Sequence, residues 1–375
     1  GRKFNFLNQR SIMLFTFIGL LTLPIFYSLN TPAIPHQSSD DKLVLAYYYS
    51  WYENQRGQQN WFSEQGYAQL TPLLGYYDSR NSAVIEQHIK WAKYAGIDGF
   101  IISLWEPRST SDAGLRRFIE KANELNFNFA IMLELWSRDL YRDIWLKHTR
   151  EINGVRILVS SPVIPLTEQN LAKLVTKLVY ISKYFKEPSY LYRNNKPMVY
   201  LYDAYLFEKD QTKWLWFWSE LRARIKAKTG MDLFIIVNSV NNVYQHDPDA
   251  IHLFIKSFDS NTWYTLISNW MKTPEDLHHT IESTIDKYHL YAEGTSKISA
   301  AVIPGYHDFR PKSPNLGRSL DIYDQQWRLA LKCNSDIIFI TTWNEFYEGT
   351  TIEPTVEDSF IFLNSTAYWT SQYKR

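Results

Sequence analysis

The sequence predicts an α/β protein, a (β/α)8 barrel of the TIM type, preceded by an N-terminal membrane-spanning helix. Two observations predict the barrel: short apolar runs alternate with amphipathic segments at helical spacing, and no second linker interrupts them. Continuous apolar strands that alternate with helices form a parallel sheet covered by those helices. The third observation, a long uncharged segment near the start of the chain, predicts the membrane helix.

The first part of the chain divides into three segments before the barrel domain, which we place at residues 42–375. Residues 1–10 are short and basic, residues 11–29 carry no charge, and residues 30–41 form a polar, Pro-containing linker. As a helix, the uncharged run would be about 28 Å long, which is close to one bilayer core. We expect a signal anchor that places the barrel on the extracytoplasmic or lumenal side. A cleaved signal peptide, which would make the protein secreted, is the alternative.

Eight apolar runs bounded by turn residues are predicted to be the barrel strands, and amphipathic segments between them are predicted to be helices. The strands are Lys42–Tyr49, Asp98–Trp105, Asn128–Leu135, Pro197–Asp203, Leu233–Ser239, Leu253–Ser260, Ile298–Gly305 and Asp336–Trp343. Examples of these helices are Ser82–Ala95, Ala113–Asn126, Gln169–Phe185, Gln211–Lys228, Pro274–Tyr288 and Leu320–Lys332. An open doubly wound sheet is the competing architecture, and it is disfavoured because no Gly-rich phosphate turn follows the first strand.

The composition excludes several classes of function. A formal net charge of +1 argues against a nucleic-acid surface, which would show a basic excess. The single cysteine, Cys333, excludes an intrachain disulfide and a Cys-based metal site. The histidines are scattered without ligand spacing, and no G-x-S-x-G nucleophile motif is present. We therefore expect no metal and no cofactor.

Polar and aromatic residues follow the predicted strands. In a barrel of this kind the active site lies at the carboxyl ends of the strands, so these residues form one candidate mouth. They are Tyr49, Trp51, Tyr52, Ser103, Trp105, Glu106, Glu134, Trp136, Arg138, Tyr202, Asp203, Tyr205, Asn238, Asn241, Asp259, Tyr264, Tyr306, His307, Asp308, Arg310, Asn344, Glu345, Tyr347 and Glu348. The chain also contains 14 Trp, 26 Tyr and 21 Phe. Rings of this kind fit the C–H faces of sugars, although core packing accounts for many of them.

Two glutamates directly follow the last strand, in the stretch "TTWNEFYEGTTIEP". Glu345 and Glu348 are three residues apart, so a helical turn would bring their Cβ atoms within about 5–6 Å. Carboxyl groups that close repel, and one of them is then driven to keep a proton at neutral pH. An acid and a base at one place are what glycoside cleavage needs, and a separation near 5 Å fits net retention of configuration.

These motifs resemble those of a known family. "TTWNEFYEGTTIEP" resembles the "NEWHEGTQIE" signature of glycoside hydrolase family 99, the endo-α-mannosidase and endo-α-mannanase family, and more distantly family 71. "AYYYSWYENQRGQQNW", which includes Trp61, is similar to the family's first strand and the Trp loop after it. "MLELWSRD", "VYLYDAY" and "VIPGYHDFRP" are similar to further strands of the family, in the same order along the chain.

The resemblance implies a (β/α)8 barrel that hydrolyses internal α-mannosidic or related α-linked glycan bonds with retention. It implies that Glu345 deprotonates the sugar 2-OH, which attacks the anomeric carbon, and that Glu348 is the general acid and then the general base. Glu134, Tyr205 and Trp105 correspond to residues around the sugars at the −1 and −2 subsites. The full set of expected substrate-binding residues is Tyr49, Trp51, Tyr52, Trp61, Trp105, Glu134, Trp136, Tyr202, Asp203, Tyr205, Asn238, Tyr306, Asp308, Arg310, Asn344 and Tyr347.

The sequence departs from the family pattern around the sugar. Phe346 and Tyr347 replace Trp-His, Thr351 replaces Gln, and "LELW" replaces "IEPY". The catalytic pair is present, but the recognition residues differ. Two alternatives therefore stay open: a carbohydrate-binding barrel without catalysis, and a family-71-like α-1,3-glucanase. In each case the expected partner is an α-linked oligosaccharide or polysaccharide.

Overall fold

The computed structural model describes residues 41–55, 58–63, 66–135, 144, 147–152, 155–158, 160, 162–238, 248–267, 271–291, 298–310 and 313–375. The predicted membrane anchor, at residues 11–29, lies outside the described residues, as do Trp136, Arg138 and Asn241. Within the described part of the chain, no helix has both the length and the apolar character needed to cross a bilayer.

Eight parallel strands close into a barrel, which confirms the predicted architecture. They are β1 (Leu43–Tyr48), β2 (Gly99–Leu104), β3 (Asn128–Glu134), β4 (Lys196–Tyr202), β5 (Phe234–Asn238), β6 (Ser260–Thr262), β7 (Ile298–Val302) and β8 (Ile337–Ile340). Each strand pairs in parallel with the next, and β8 pairs with β1 to close the ring. This closure places the carboxyl ends of all eight strands at one rim.

Among the residues that the structure describes, each barrel strand is followed by one of eight long helices. The helices are α1 (Ser82–Tyr94), α2 (Thr110–Leu125), α3 (Glu168–Ser182), α4 (Gln211–Thr229), α5 (Pro248–Ser257), α6 (Pro274–Tyr291), α7 (Leu320–Cys333) and α8 (Ile361–Tyr373). Side chains that accept backbone N–H groups fix the starts of several of them, for example Asn81 at α1, Asp210 at α4 and Ser319 at α7. Six of the eight correspond to predicted helices, and the pattern missed α5 and α8.

The predicted sixth strand, Leu253–Ser260, is wrong. Residues up to Ser257 belong to α5, and the strand that enters the barrel is Ser260–Thr262. Ile251, Phe254 and Phe258 are all buried, which is a helical spacing. A short apolar run fits a buried strand and a buried helix equally well, so periodicity alone could not separate the two.

The strands are buried along their length, and aromatic residues fill part of the barrel interior. Tyr47 from β1 donates its hydroxyl hydrogen to the Tyr200 hydroxyl of β4 at 2.8 Å and stacks on Phe339 of β8 at 5.4 Å between ring centroids. Beyond β7, a two-stranded hairpin (Gly305–His307 with Asn315–Arg318) stands at the carboxyl rim. Gly305 has a φ of 152°, and a Cβ there would collide with the backbone of Gly317, so this turn requires glycine.

Candidate active site

The loop Thr341–Glu353 follows β8, and we call it the glutamate loop. The N–H of Glu345 donates to Oγ1 of Thr342 at 2.8 Å, and the carboxylate of Glu345 accepts the N–H of Tyr347 at 2.9 Å. Gly349 has a φ of 64°, which allows the chain to turn there. The N–H of His307 then donates to the carbonyl of Glu348 at 2.9 Å. These bonds place both glutamates in one tight turn at the carboxyl rim.

The carboxyl group of Glu348 meets a cation from the hairpin after β7. Nη2 of Arg310 donates to Oε1 of Glu348 at 3.2 Å. The same guanidinium is held by Asp308, whose Oδ2 accepts from Nε of Arg310 at 2.7 Å and from the Tyr306 hydroxyl at 3.0 Å. The other oxygen of Glu348, Oε2, is buried and has no hydrogen-bond partner among the described residues. No described protein group therefore competes for a proton on that oxygen.

Burial determines the proton affinity of three carboxyl groups. It raises the pKa of Glu345 well above its usual value, and the negative charge of Glu348 raises it further. It raises the pKa of Glu348 to about 7, against the opposing effect of Arg310. It also raises the pKa of Glu134 to about 8, against the hydrogen bond from Ser103. At neutral pH the site therefore holds protons on carboxyl groups, as a site for acid–base chemistry requires.

The ends of β3, β4 and β5 supply further polar groups. Glu134 is 4% exposed and accepts the Ser103 hydroxyl hydrogen at 2.7 Å. Asp203 has a φ of 64°, in the left-handed region, and Asn238 holds it there. Oδ1 of Asn238 accepts the N–H of Asp203 at 2.5 Å, and Nδ2 donates to the Asp203 carboxylate at 2.6 Å. The charges of Asp203 and Glu348 both raise the pKa of the Tyr202 hydroxyl, after the larger effect of burial, so these groups share one region.

Aromatic rings form a wall beside the carboxyl groups. The ring of Trp51 lies parallel to that of Tyr347, with centroids 6.0 Å apart and 14° between their planes. Trp51 also contacts Tyr49 at 4.4 Å and Trp105 at 6.4 Å. Trp105 is 37% exposed, so much of its ring faces solvent. Such rings fit the apolar faces of sugars.

Three predicted substrate-binding residues lie beneath this wall. Tyr52, Trp61 and Asn344 have no exposed surface. The Tyr52 hydroxyl donates to the carbonyl of Asn344 at 2.7 Å. The ring of Tyr52 stacks on that of Trp61, with centroids 4.0 Å apart. The Trp61 indole donates to the carbonyl of Tyr77 at 2.8 Å. Because their polar atoms bond protein groups, these residues support the glutamate loop from below and offer no surface to a sugar here.

Tyr205 and Trp136 are the remaining predicted substrate-binding residues. Tyr205 is partly buried in the short 3-10 helix Ala204–Leu206 that follows Asp203. Trp136 lies outside the described residues. Tyr264, named at a strand end but not among the expected sugar contacts, bonds the Tyr49 hydroxyl at 2.8 Å. No group of three or more His, Cys, Asp or Glu side chains suited to a metal ion occurs in the part of the chain that the structure describes.

The sequence pattern did not indicate a buried polar set behind the glutamate loop, formed by Tyr77, His88 and Glu353. His88 lies on the buried face of α1 with Ile85, Ile89 and Ala92. A histidine among apolar residues at helical spacing was the one signal that could have shown it, since a buried imidazole needs partners.

Comparison with known sequences shows which proteins this chain is similar to. The profile described as "Glycosyl hydrolase family 99" matches residues 151–374. The chain is 24% identical to a glycoprotein endo-alpha-1,2-mannosidase of Mus musculus over 310 residues, which cover 76% of this chain and 56% of the mouse protein. It is 23% identical to the Rattus norvegicus protein of the same name over 396 residues, covering 88% of this chain and 75% of the rat protein. The chain thus spans little more than half the length of the mouse relative.

Solved structures share the fold. A GH99 endo-alpha-mannosidase from Bacteroides thetaiotaomicron, in complex with BIS-TRIS-propane, superposes with a TM-score of 0.65 at 20% identity, covering 89% of this chain and 97% of that one. A glycoside hydrolase-like protein gives a TM-score of 0.62 at 14% identity, covering 89% and 95%. At these identities the likeness is evidence for the barrel architecture.

Proposed function

Because the chain belongs to glycosyl hydrolase family 99, we propose that it is an endo-acting, retaining glycoside hydrolase that cleaves internal α-mannosidic bonds. One observation supports this most: Glu345 and Glu348 lie in one turn, and the charge of Glu348 raises the pKa of Glu345 beyond the effect of burial. The relatives named endo-alpha-1,2-mannosidase indicate mannose in the substrate.

In the first step, the carboxylate of Glu345 takes the proton of the sugar 2-OH. The 2-oxygen then attacks the anomeric carbon, and the bond from that carbon to the leaving-group oxygen breaks. The leaving oxygen receives the proton of Glu348, so a 1,2-anhydro sugar and an alcohol are formed. Glu345 is now protonated and Glu348 ionised, and the charge of the pair is unchanged.

In the second step, Glu348 takes a proton from water, and the water oxygen attacks the anomeric carbon. The bond to the 2-oxygen breaks, and that oxygen recovers a proton from Glu345. Two displacements at the same carbon give net retention of configuration. The pair must begin each cycle with its shared proton on Glu348, although burial also raises the pKa of Glu345. Bound substrate must therefore favour this arrangement of the proton.

The surrounding residues are assigned to binding. We assign Trp51, Trp105 and Tyr347 to contacts with the apolar faces of sugars, because their rings form a connected wall. We assign Glu134 to a hydrogen bond with a sugar hydroxyl, where its raised pKa of about 8 makes it a proton donor at neutral pH. Arg310 lies 3.2 Å from Glu348 and lowers the pKa of that carboxyl group.

A screen of defined α-linked oligosaccharides tests this function. We expect cleavage of internal α-mannosidic bonds and, by NMR at early times, release of the α-anomer. Selective cleavage of α-1,3-glucan would instead indicate the glucanase alternative. Binding of mannosides without any turnover would indicate the non-catalytic alternative and would contradict the proposal.

A further inference from the structure

A buried polar cluster joins Glu353, the last residue of the glutamate loop, to Tyr77 and His88. It does not include the carboxyl groups assigned to chemistry. Nε2 of His88 is 3.0 Å from Oε1 of Glu353, and neither side chain has any exposed surface. The two atoms are in close contact, but their geometry is not that of a hydrogen bond. The hydroxyl of Tyr77 donates to Oε2 of Glu353 at 2.7 Å and accepts from Nδ2 of Asn344 at 3.3 Å. The cluster therefore connects α1, where His88 lies, to the residue that precedes Glu345.

Both ends of this connection lie at the carboxyl end of β1. The hydroxyl of Tyr48 is 3.0 Å from Nδ1 of His88. At the other end, Asn344 clamps the backbone of Tyr49: its Oδ1 accepts the Tyr49 N–H at 2.7 Å, and its Nδ2 donates to the Tyr49 carbonyl at 2.8 Å. These contacts run from Tyr48, the last residue of β1, to the backbone of Tyr49, which follows it, and we call them the polar circuit.

Burial raises the pKa of Tyr48 well above its usual value, and the charge of Glu353 raises it further. The Tyr48 hydroxyl therefore keeps its proton. Either this hydroxyl or Nδ1 of His88 can be the donor across the 3.0 Å that separates them.

Folding stability alone does not explain such a cluster. Removing a carboxylate and an imidazole from water costs free energy, and apolar residues of similar size often replace a buried pair without loss. What apolar residues could not do is hold an amide in one orientation. Through Tyr77, the polar circuit fixes the side chain of Asn344. Asn344 is the residue that precedes Glu345 in the chain.

We propose that His88, Glu353 and Tyr77 are positioning residues, which hold the catalytic glutamate in place through Asn344. This inference rests on the proposed hydrolase function. At metal sites, partners that hold a ligand in place typically change activity about 10–100-fold when they are lost, and we expect a loss of similar size here. The loss should appear in kcat rather than KM, because none of the three touches the sugar-facing wall.

The test compares two Tyr→Phe variants that each remove one buried hydroxyl. Tyr77→Phe breaks the link between Glu353 and Asn344, whereas Tyr323→Phe breaks a 2.8 Å bond to Thr366 between α7 and α8, away from the site. Both should lower Tm by a similar few degrees. With an α-mannosidic oligosaccharide, Tyr77→Phe should lower kcat about 10–100-fold with KM little changed, whereas Tyr323→Phe should keep the parent kcat. Glu353→Gln, which can still accept from Tyr77, should retain more activity than Glu353→Ala.

A structural readout separates this inference from the proposed function. In a crystal structure of Tyr77→Phe, we expect the Asn344 amide to leave one of its two contacts with Tyr49. That result would support positioning even if the parent protein cleaved none of the glycans tested, which would overturn only the proposed function. An Asn344 side chain that keeps both contacts in Tyr77→Phe would overturn the inference, as would equal losses of kcat in the two Tyr→Phe variants.

Discussion

Replacing Arg310 with methionine should move the alkaline limb of the pH–rate profile to higher pH. In the proposed mechanism Glu348 acts as an acid only while protonated, so kcat/KM should fall as the pH rises through its pKa, which is about 7 in the parent. Arg310 lies 3.2 Å from this carboxyl and lowers its pKa. Removing the cation therefore raises that pKa and extends activity towards alkaline pH.

The size of the shift follows from the geometry. Two unit charges at this distance interact by about 1.3 kcal/mol at the dielectric constant of water, which corresponds to about one pKa unit. The water value is appropriate because the Arg310 side chain is 55% exposed. Asp308 loses its cation in the same variant, and its negative charge raises the pKa of Glu348 in the same direction. We therefore expect a shift of about one unit or more.

The assay is kcat/KM from pH 5 to 9 on one α-mannosidic substrate. Because the two glutamates interact, the limb reports an apparent pKa of the pair. Arg310→Lys, which keeps the charge, is the control and should keep the limb close to that of the parent. An alkaline limb that stays in place or moves to lower pH in Arg310→Met would refute the assignment of Glu348 as the acid.

Three further predictions concern the substrate, a buried acid and the aromatic wall. A substrate that lacks the 2-OH should not be turned over by the parent but should still bind as a competitive inhibitor, since Glu345 needs that hydroxyl; turnover of this substrate would contradict its role. Burial raises the pKa of Glu134 from 4.5 to about 8, so the folded state loses stability as the pH rises from about 4.5 to 8, by up to about 5 kcal/mol. Glu134→Gln should therefore lose less Tm than the parent between pH 5 and 9 in thermal melts, and parallel losses would contradict this. Trp105→Ala should raise KM about 5–10-fold with kcat little changed, while Trp216→Ala, at a similar 38% exposure on α4, should leave both constants unchanged.

The barrel and the place of the candidate site on it could be predicted because both depend on local pattern. Apolar runs such as Leu43–Tyr48 and Ile337–Ile340 are buried on both faces, and a parallel barrel brings whatever follows them to one rim. Glu345 and Glu348 are only three residues apart in sequence, so their proximity needed no long-range information. The sixth strand was misplaced because the apolar residues of α5 fit both a strand and a helix.

What could not be predicted depends on the paths of loops and on distant contacts. After β1, Trp51 is part of the aromatic wall while Tyr52 is fully buried, and the sequence alone does not distinguish the two. The approach of Arg310 to Glu348 depends on the hairpin after β7. The pairing of His88 with Glu353 joins α1 to the far end of the chain, which no local pattern specifies.

The most direct test of the catalytic pair is the initial rate of α-mannoside cleavage by four proteins: the parent, Glu345→Gln, Glu348→Gln and the double variant. We predict that each single variant loses about 10²–10⁴ in rate. We also predict that the double variant is no slower than the slower single variant, because the two groups act in one step. A single variant that keeps the parent rate would contradict the account.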